Sequence, residues 1–150
     1  MAKTFMRWST GLTLALLLAG AGQAQDRTPE VKAIRGLLDD QVSAWNDKDL
    51  SRFMNGYWES EQLSFYSGNQ KTLGWKATLQ RYQQKYQGEG KEMGRLSFDE
   101  LTIDLLGADH ALVRGRFRLA LSSKASTGIF TLVVRKTRAG WRIIHDHTSS

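Results

Sequence analysis

The chain has 150 residues, with 21 Lys and Arg against 15 Asp and Glu, a net charge of +6, and no cysteine. Without cysteine there are no disulfides and no thiolate chemistry, so the fold must be held by a hydrophobic core alone. The basic residues are spread out with no run or stripe, which argues against a nucleic-acid partner.

The first element in chain order is a targeting segment. Lys3 and Arg7 precede an apolar run, Gly11–Gly20, and the small residues Gly22 and Ala24 follow it. That order is the layout of a secretory signal peptide, with cleavage expected after Ala24. The run is far short of the roughly 20 residues a spanning helix needs, and no lipid-accepting cysteine follows it. Residues 1–24 are therefore expected to be removed. Residues 25–150 are expected to form a single domain, exported to the periplasm or secreted, with no membrane anchor. Loss of Lys3 and Arg7 leaves 19 basic residues against 15 acidic ones, a net charge of +4.

A long helix is predicted over Pro29–Asn46. Thr28 can cap it, Pro29 suits its first position, and Glu30 favours its positive end. Val31, Ile34, Leu38, Val42 and Trp45 recur at three- and four-residue steps, forming one apolar stripe. "NDKD" breaks the pattern. A short helix in "LSRFMNGYW" is expected next, with Leu50, Phe53, Met54 and Tyr57 inward. Leu63–Tyr66 reads as a strand and "SGNQ" as a turn. Thr72 is expected to cap a third helix with the stripe Trp75, Leu79, Tyr82 and Tyr86, stopped near Gly88.

After Gly90 the character changes. Four long strands are predicted, at Arg95–Leu106, Ala111–Leu121, Thr127–Lys136 and Trp141–Thr148, with turns at "GADH" and "RAG". Helices first and strands last make an α+β pattern, with three helices packed on one face of a curved, mainly antiparallel sheet. In "GIFTLVV", Ile129, Thr131 and Val133 share one face, and Phe130, Leu132 and Val134 share the other. A strand apolar on both faces is covered on both. The helices can cover one, so a homodimer is expected through the other.

The closing run, "GIFTLVVRKTRAGWRIIHDHTSS", resembles the final hairpin of SnoaL-like domains, members of the nuclear transport factor 2-like superfamily. It is also similar to the ending of the calcium/calmodulin-dependent kinase II association domain. "AWNDKD" and "GWKATLQRYQQKY" fit the first and third helices of the family, and the resemblance spans Val31–Ser149. It implies a cone in which the curved sheet wraps the long helix and leaves a pocket at its open end. Function does not follow from that shape, which serves isomerases, cyclases, dehydratases, hub domains and binding proteins alike.

Several residues are candidates for a site. His145 and His147 lie two apart on a strand and so share a face, with Asp146 on the opposite one. The pair could chelate a metal, but no third ligand is apparent, since His110 falls in a turn. One histidine could instead move a proton inside the pocket, and the plainest role is packing at a strand end. Arg114, Arg116 and Arg118 share another strand face. There the resemblance to the kinase domain aligns Arg116 with a pocket arginine, implying a carboxylate receptor, although the second such position is Leu132. Tyr57, Trp58, Phe65 and Tyr82 are the aromatic residues expected to line the pocket. No phosphate loop or nucleophile elbow is present, and no cofactor or metal is expected.

Three functions remain in play from sequence. The first is an exported protein binding a small apolar, anionic molecule through Tyr57, Trp58, Phe65, Tyr82 and Arg116. The second is an isomerase, dehydratase or cyclase with His145, His147 or Asp146 as base and a tyrosine as acid. The third is an assembly protein acting through its sheet face. A buried carboxylate with a raised pKa would favour the enzyme, but none can be placed from the sequence, whose acids fall mostly on predicted helix surfaces and turns.

Overall fold

The computed structural model describes residues 28–150, so the signal segment expected at residues 1–24 lies outside the described residues. Helix α1 spans Pro29–Asn46. Thr28 caps it, its Oγ1 accepting from the Val31 amide at 3.2 Å. Its buried face is Val31, Ile34, Leu38, Gln41, Ala44 and Trp45. Val42 sits at the margin, packed against the core.

Helix α2 is only Leu50–Met54, shorter than expected. The chain leaves it to reach the sheet. Tyr57 bridges to Ile143, the Trp58 amide donates to the Ile143 carbonyl, and the Ile143 amide donates to the Gly56 carbonyl. Gly56 lets this segment pack closely against α1, because a Cβ there would lie 2.7 Å from the Gln41 side chain.

Strand β1 (Ser64–Ser67) and β2 (Gln70–Leu73) form a small hairpin. Strand β2 is too polar to be read as a strand, and it takes Thr72 away from the capping role expected of it. Helix α3, Trp75–Tyr86, starts instead after Gly74, whose φ of 89° suits glycine. The four long strands follow as β3 (Arg95–Leu105), β4 (His110–Ala120), β5 (Ala125–Thr137) and β6 (Gly140–Ser149).

The six strands run β2-β1-β6-β5-β4-β3, antiparallel except for the parallel pair β1–β6. The architecture is the expected α+β cone of three helices on a curved, mainly antiparallel sheet. Two bulges shape it. In β3 the register shifts between Asp99 and Thr102, where Glu100 has a φ of 55°. Such a bulge bends the strand and increases its twist. In β6, His145 pairs with Val133 but Ile143 pairs with Val134, which leaves Ile144 as the extra residue.

The core sits between α1 and the concave face of the sheet, built on Val31, Ile34, Leu38, Val113, Phe130, Leu132, Val134 and Ile143. Ile129, Thr131 and Val133 take the convex face, where Ile129 is 56% exposed. No helix among the described residues is long and apolar enough to cross a membrane.

Candidate functional site

The helices do not fill the cone. A cavity of about 110 Å³ remains between α1, α2, α3 and the concave sheet face. Aromatic rings line it from every side: Trp45 from α1, Phe53 from α2, Phe65 from β1, Tyr82 and Tyr86 from α3, and Phe98, Phe117 and Phe130 from β3, β4 and β5. The rings meet at edges and tilts, with Phe53–Tyr82 and Phe65–Tyr82 centroids each 5.3 Å apart, except for Tyr82 and Tyr86, which stack at 5.9 Å. These are the preferred geometries for packed aromatic groups.

Among the described residues, Asp146 is the acidic side chain that faces this apolar space. Asp146 is 4% exposed and lines the cavity. The Tyr57 hydroxyl donates to its Oδ2 at 2.7 Å, and the Thr148 hydroxyl donates to its Oδ1 at 2.8 Å. Tyr82 extends the cluster, its hydroxyl 3.3 Å from that of Tyr57. The single Tyr57 proton is engaged by the carboxylate, so Tyr82 is the donor in that pair.

Burial governs the titration of all three groups. It pushes Asp146 up to about 6, while the hydrogen bonds from Tyr57 and Thr148 and the nearby His147 pull the other way. Tyr57 and Tyr82 are held well above the usual tyrosine range, mainly by burial and then by the Asp146 charge. At neutral pH the cluster is a carboxylate carrying two neutral tyrosines and a threonine. Asp146 thus titrates where a general base works best.

Tyr57, Phe65, Tyr82 and Asp146 are therefore brought together as cavity residues. Four other candidates are not. His145 and His147 lie on the convex face, because the bulge at Ile144 sets Asp146 and Thr148 inward and the two rings outward. His145 Nδ1 is 2.7 Å from Ser64 Oγ, and Tyr66 stands edge-on to both rings. Burial, followed by the neighbouring His147, lowers the His145 pKa. Trp58 is outside the cavity, beneath the Arg135 guanidinium at 4.1 Å. Arg116 is on the convex face in an ion pair with Glu100, so the guanidinium expected inside the cone is not there. Its neighbours on that face, Arg114 and Arg118, pair likewise with Asp104 and Asp99.

Sequence reasoning missed Thr148, Arg81 and Lys85, which also line the cavity. Thr148 was within reach, since it shares a strand face with Asp146. Arg81 and Lys85 stand four apart beside the Tyr82–Tyr86 stripe of α3, a spacing that puts both on one side of the helix. Among the described residues no three of His, Asp and Glu are grouped so as to hold a metal ion.

A curved sheet closed over a long helix, with an aromatic cavity and one buried carboxylate, places the molecule among the cone-shaped NTF-2-like α+β proteins. Within them, the chain belongs to the SnoaL-like domain family, whose model matches residues 34–150. An NTF-2-like protein of unknown function from Shewanella oneidensis MR-1 is 38% identical, covering 79% of this chain and 98% of that one, with a TM-score of 0.75. Two more distant structures share the fold. A ketosteroid isomerase-like protein from Erwinia carotovora atroseptica SCRI1043 is 17% identical, covers 81% and 96% of the two chains, and has a TM-score of 0.62. A protein from Thiobacillus denitrificans ATCC 25259, described as a calcium/calmodulin-dependent protein kinase type II association domain, is 19% identical, covers 81% and 94%, and has a TM-score of 0.64. No curated protein matches the chain.

Proposed function

We propose that this protein binds a small, largely apolar molecule inside the cone. The observation that carries the reading is the aromatic cavity with the hydrogen-bonded Asp146 carboxylate facing into it. Ring walls favour an apolar body, and the Tyr82–Tyr57–Asp146 cluster gives it one polar anchor. Ser126 lines the cavity from β5, and Ser126→Phe would occupy part of that space. A thermal-shift screen of single-ring and short branched compounds should find ligands for the unaltered protein that the filled variant binds weakly. Equal shifts in both proteins would place binding elsewhere.

A second reading is favoured by Asp146 itself. A carboxylate raised to about 6 inside an apolar cavity, with neutral tyrosines beside it, suits proton abstraction from a substrate carbon followed by return of the proton. This is the isomerase-like alternative, with Asp146 as base and the Tyr82–Tyr57 hydroxyls steadying its charge. Hydrogen–deuterium exchange into bound carbon acids, followed by NMR, would detect it. Exchange that is unchanged in Asp146→Asn would rule it out.

The setting in which this takes place is part of the proposal. The order of Lys3, Arg7, the apolar run and Ala24 supports export to the periplasm or beyond. Recovery of the intact chain from the cytoplasm of its native host would refute that. The apolar residues on the convex face, Ile129 and Val133, support a homodimer formed there.

A further inference from the structure

The cavity has a second pole, and it is positive. Arg81 and Lys85 line it from α3, one turn apart. Like charges at that spacing weaken a helix, so the helix itself gains nothing from the pair. Neither is paired with a carboxylate among the described residues. Arg81 donates to Thr72 Oγ1 at 2.9 Å and lies over the Phe65 ring, while Lys85 lies over the Tyr86 ring. The arginines of the convex face, by contrast, each have an acidic partner. Lys85 is exposed and Arg81 half-buried, which puts the cations at the open end of the cavity, whereas Tyr57 and Asp146 are buried.

The buried pole also has a direction. Thr148 and Tyr57 direct their protons to Asp146, and Tyr82 directs its proton to Tyr57. Every hydroxyl proton of the cluster points towards the carboxylate. What the cluster still offers a ligand is acceptor capacity: the free lone pairs of Asp146 and of the Tyr82 oxygen. A ligand atom docking there must donate.

Resting on the cavity reading above, we propose that the ligand is a compact hydroxy acid. Its carboxylate sits on Arg81 and Lys85 at the mouth, its apolar body lies along the ring walls, and its hydroxyl donates to the Asp146–Tyr82 end. The cavity size limits the body to about one six-membered ring, since a cavity of roughly 150 Å³ holds benzene. A single-ring phenolic acid satisfies all three requirements.

The test uses three probes by calorimetry at pH 7.5: 4-hydroxyphenylacetate, its neutral amide, and phenylacetate. The hydroxy acid should bind about ten- to hundredfold more tightly than the amide, as expected for one charge-assisted contact. Phenylacetate should bind more weakly than the hydroxy acid. Lys85→Gln, at an exposed position, should lower affinity for both acids and leave the amide unchanged. Arg81→Gln should do the same more strongly. Equal affinities for acid and amide in the unaltered protein would overturn the anion pole while leaving the cavity reading intact. So would an acid preference that survives in the Arg81→Gln/Lys85→Gln double variant. Equal binding of the two acids would overturn the hydroxyl assignment. Failure of all three probes to bind would overturn this inference, while the cavity reading would still be decided by the Ser126→Phe screen.

Discussion

The Tyr57 hydroxyl and the Asp146 carboxylate lie 2.7 Å apart, although 89 residues separate them in the chain. The contact joins the segment after α2 to the final strand, and it is held by backbone pairing between Tyr57 and Ile143. Secondary structure from both ends of the domain thus fixes the geometry of the candidate site.

The first prediction follows from the Asp146 pKa. Its folded value of about 6 is above its ordinary value of 3.8. A carboxylate raised in the folded state costs nothing below pH 3.8 and destabilises progressively as the pH rises through 6. The full cost is about 3 kcal/mol, at roughly 1.4 kcal/mol per pKa unit. Asp146→Asn keeps the shape and loses the charge. The variant should therefore gain stability relative to the unaltered protein as the pH goes from 4 to 7.5, measured by urea unfolding at both pH values. A stability difference independent of pH would show that Asp146 titrates normally.

Tyr57→Phe should act in the opposite sense. It removes the donor to Asp146 Oδ2, one of the groups holding the Asp146 pKa down. The carboxyl should titrate higher still, as followed by NMR of the side-chain carbon. Loss of a hydrogen bond to a charged group should cost about 1.5–3 kcal/mol at pH 7.5 and less at pH 5.

Gly128→Ala tests the closure of the sheet behind the cavity. A Cβ at Gly128 would lie 2.0 Å from the Ser149 carbonyl oxygen and 2.6 Å from the Phe117 ring. Backbone cannot yield as a side chain does, so β5 and β6 would have to separate. A loss of about 1–3 kcal/mol is expected, the usual range for overpacking. Gly36→Ala, at an open helical position, should be neutral or stabilising and serves as the control.

Ile129→Arg tests the proposed homodimer. Ile129 is the most exposed of the apolar β5 residues on the convex face. Burying an unpaired charge costs several kcal/mol, so light scattering should show dimers for the unaltered protein and monomers for the variant. A monomeric unaltered protein would end the proposal directly.

Much of the architecture is carried by local patterns. The 3.6-residue stripe from Val31 to Trp45, with its Thr28 cap, specifies α1 without help from distant contacts. The alternation in β4 places Arg114, Arg116 and Arg118 together and Phe117 and Leu119 opposite them. Two short elements were less legible. Strand β2 is polar and exists because it pairs with β1, and α2 is cut short because the chain at Gly56–Trp58 is drawn to β6.

For the site, the sequence determined that His145 and His147 share one face and Asp146 and Thr148 the other, since strand side chains alternate with period two. Tertiary structure alone decided which face looks into the cone. Counting by twos from the buried Trp141 and Ile143 would put both histidines inside. The bulge at Ile144 shifts the parity by one residue and sends Asp146 inward instead. A bulge depends on how β6 pairs with β5 and β1, and those partners come from distant parts of the chain. In the same way, nothing in the sequence set Arg81 apart from Arg116 as a cavity residue. The tertiary structure placed Arg81 at the cavity and Arg116 beside Glu100, where a neighbouring acid already satisfies it.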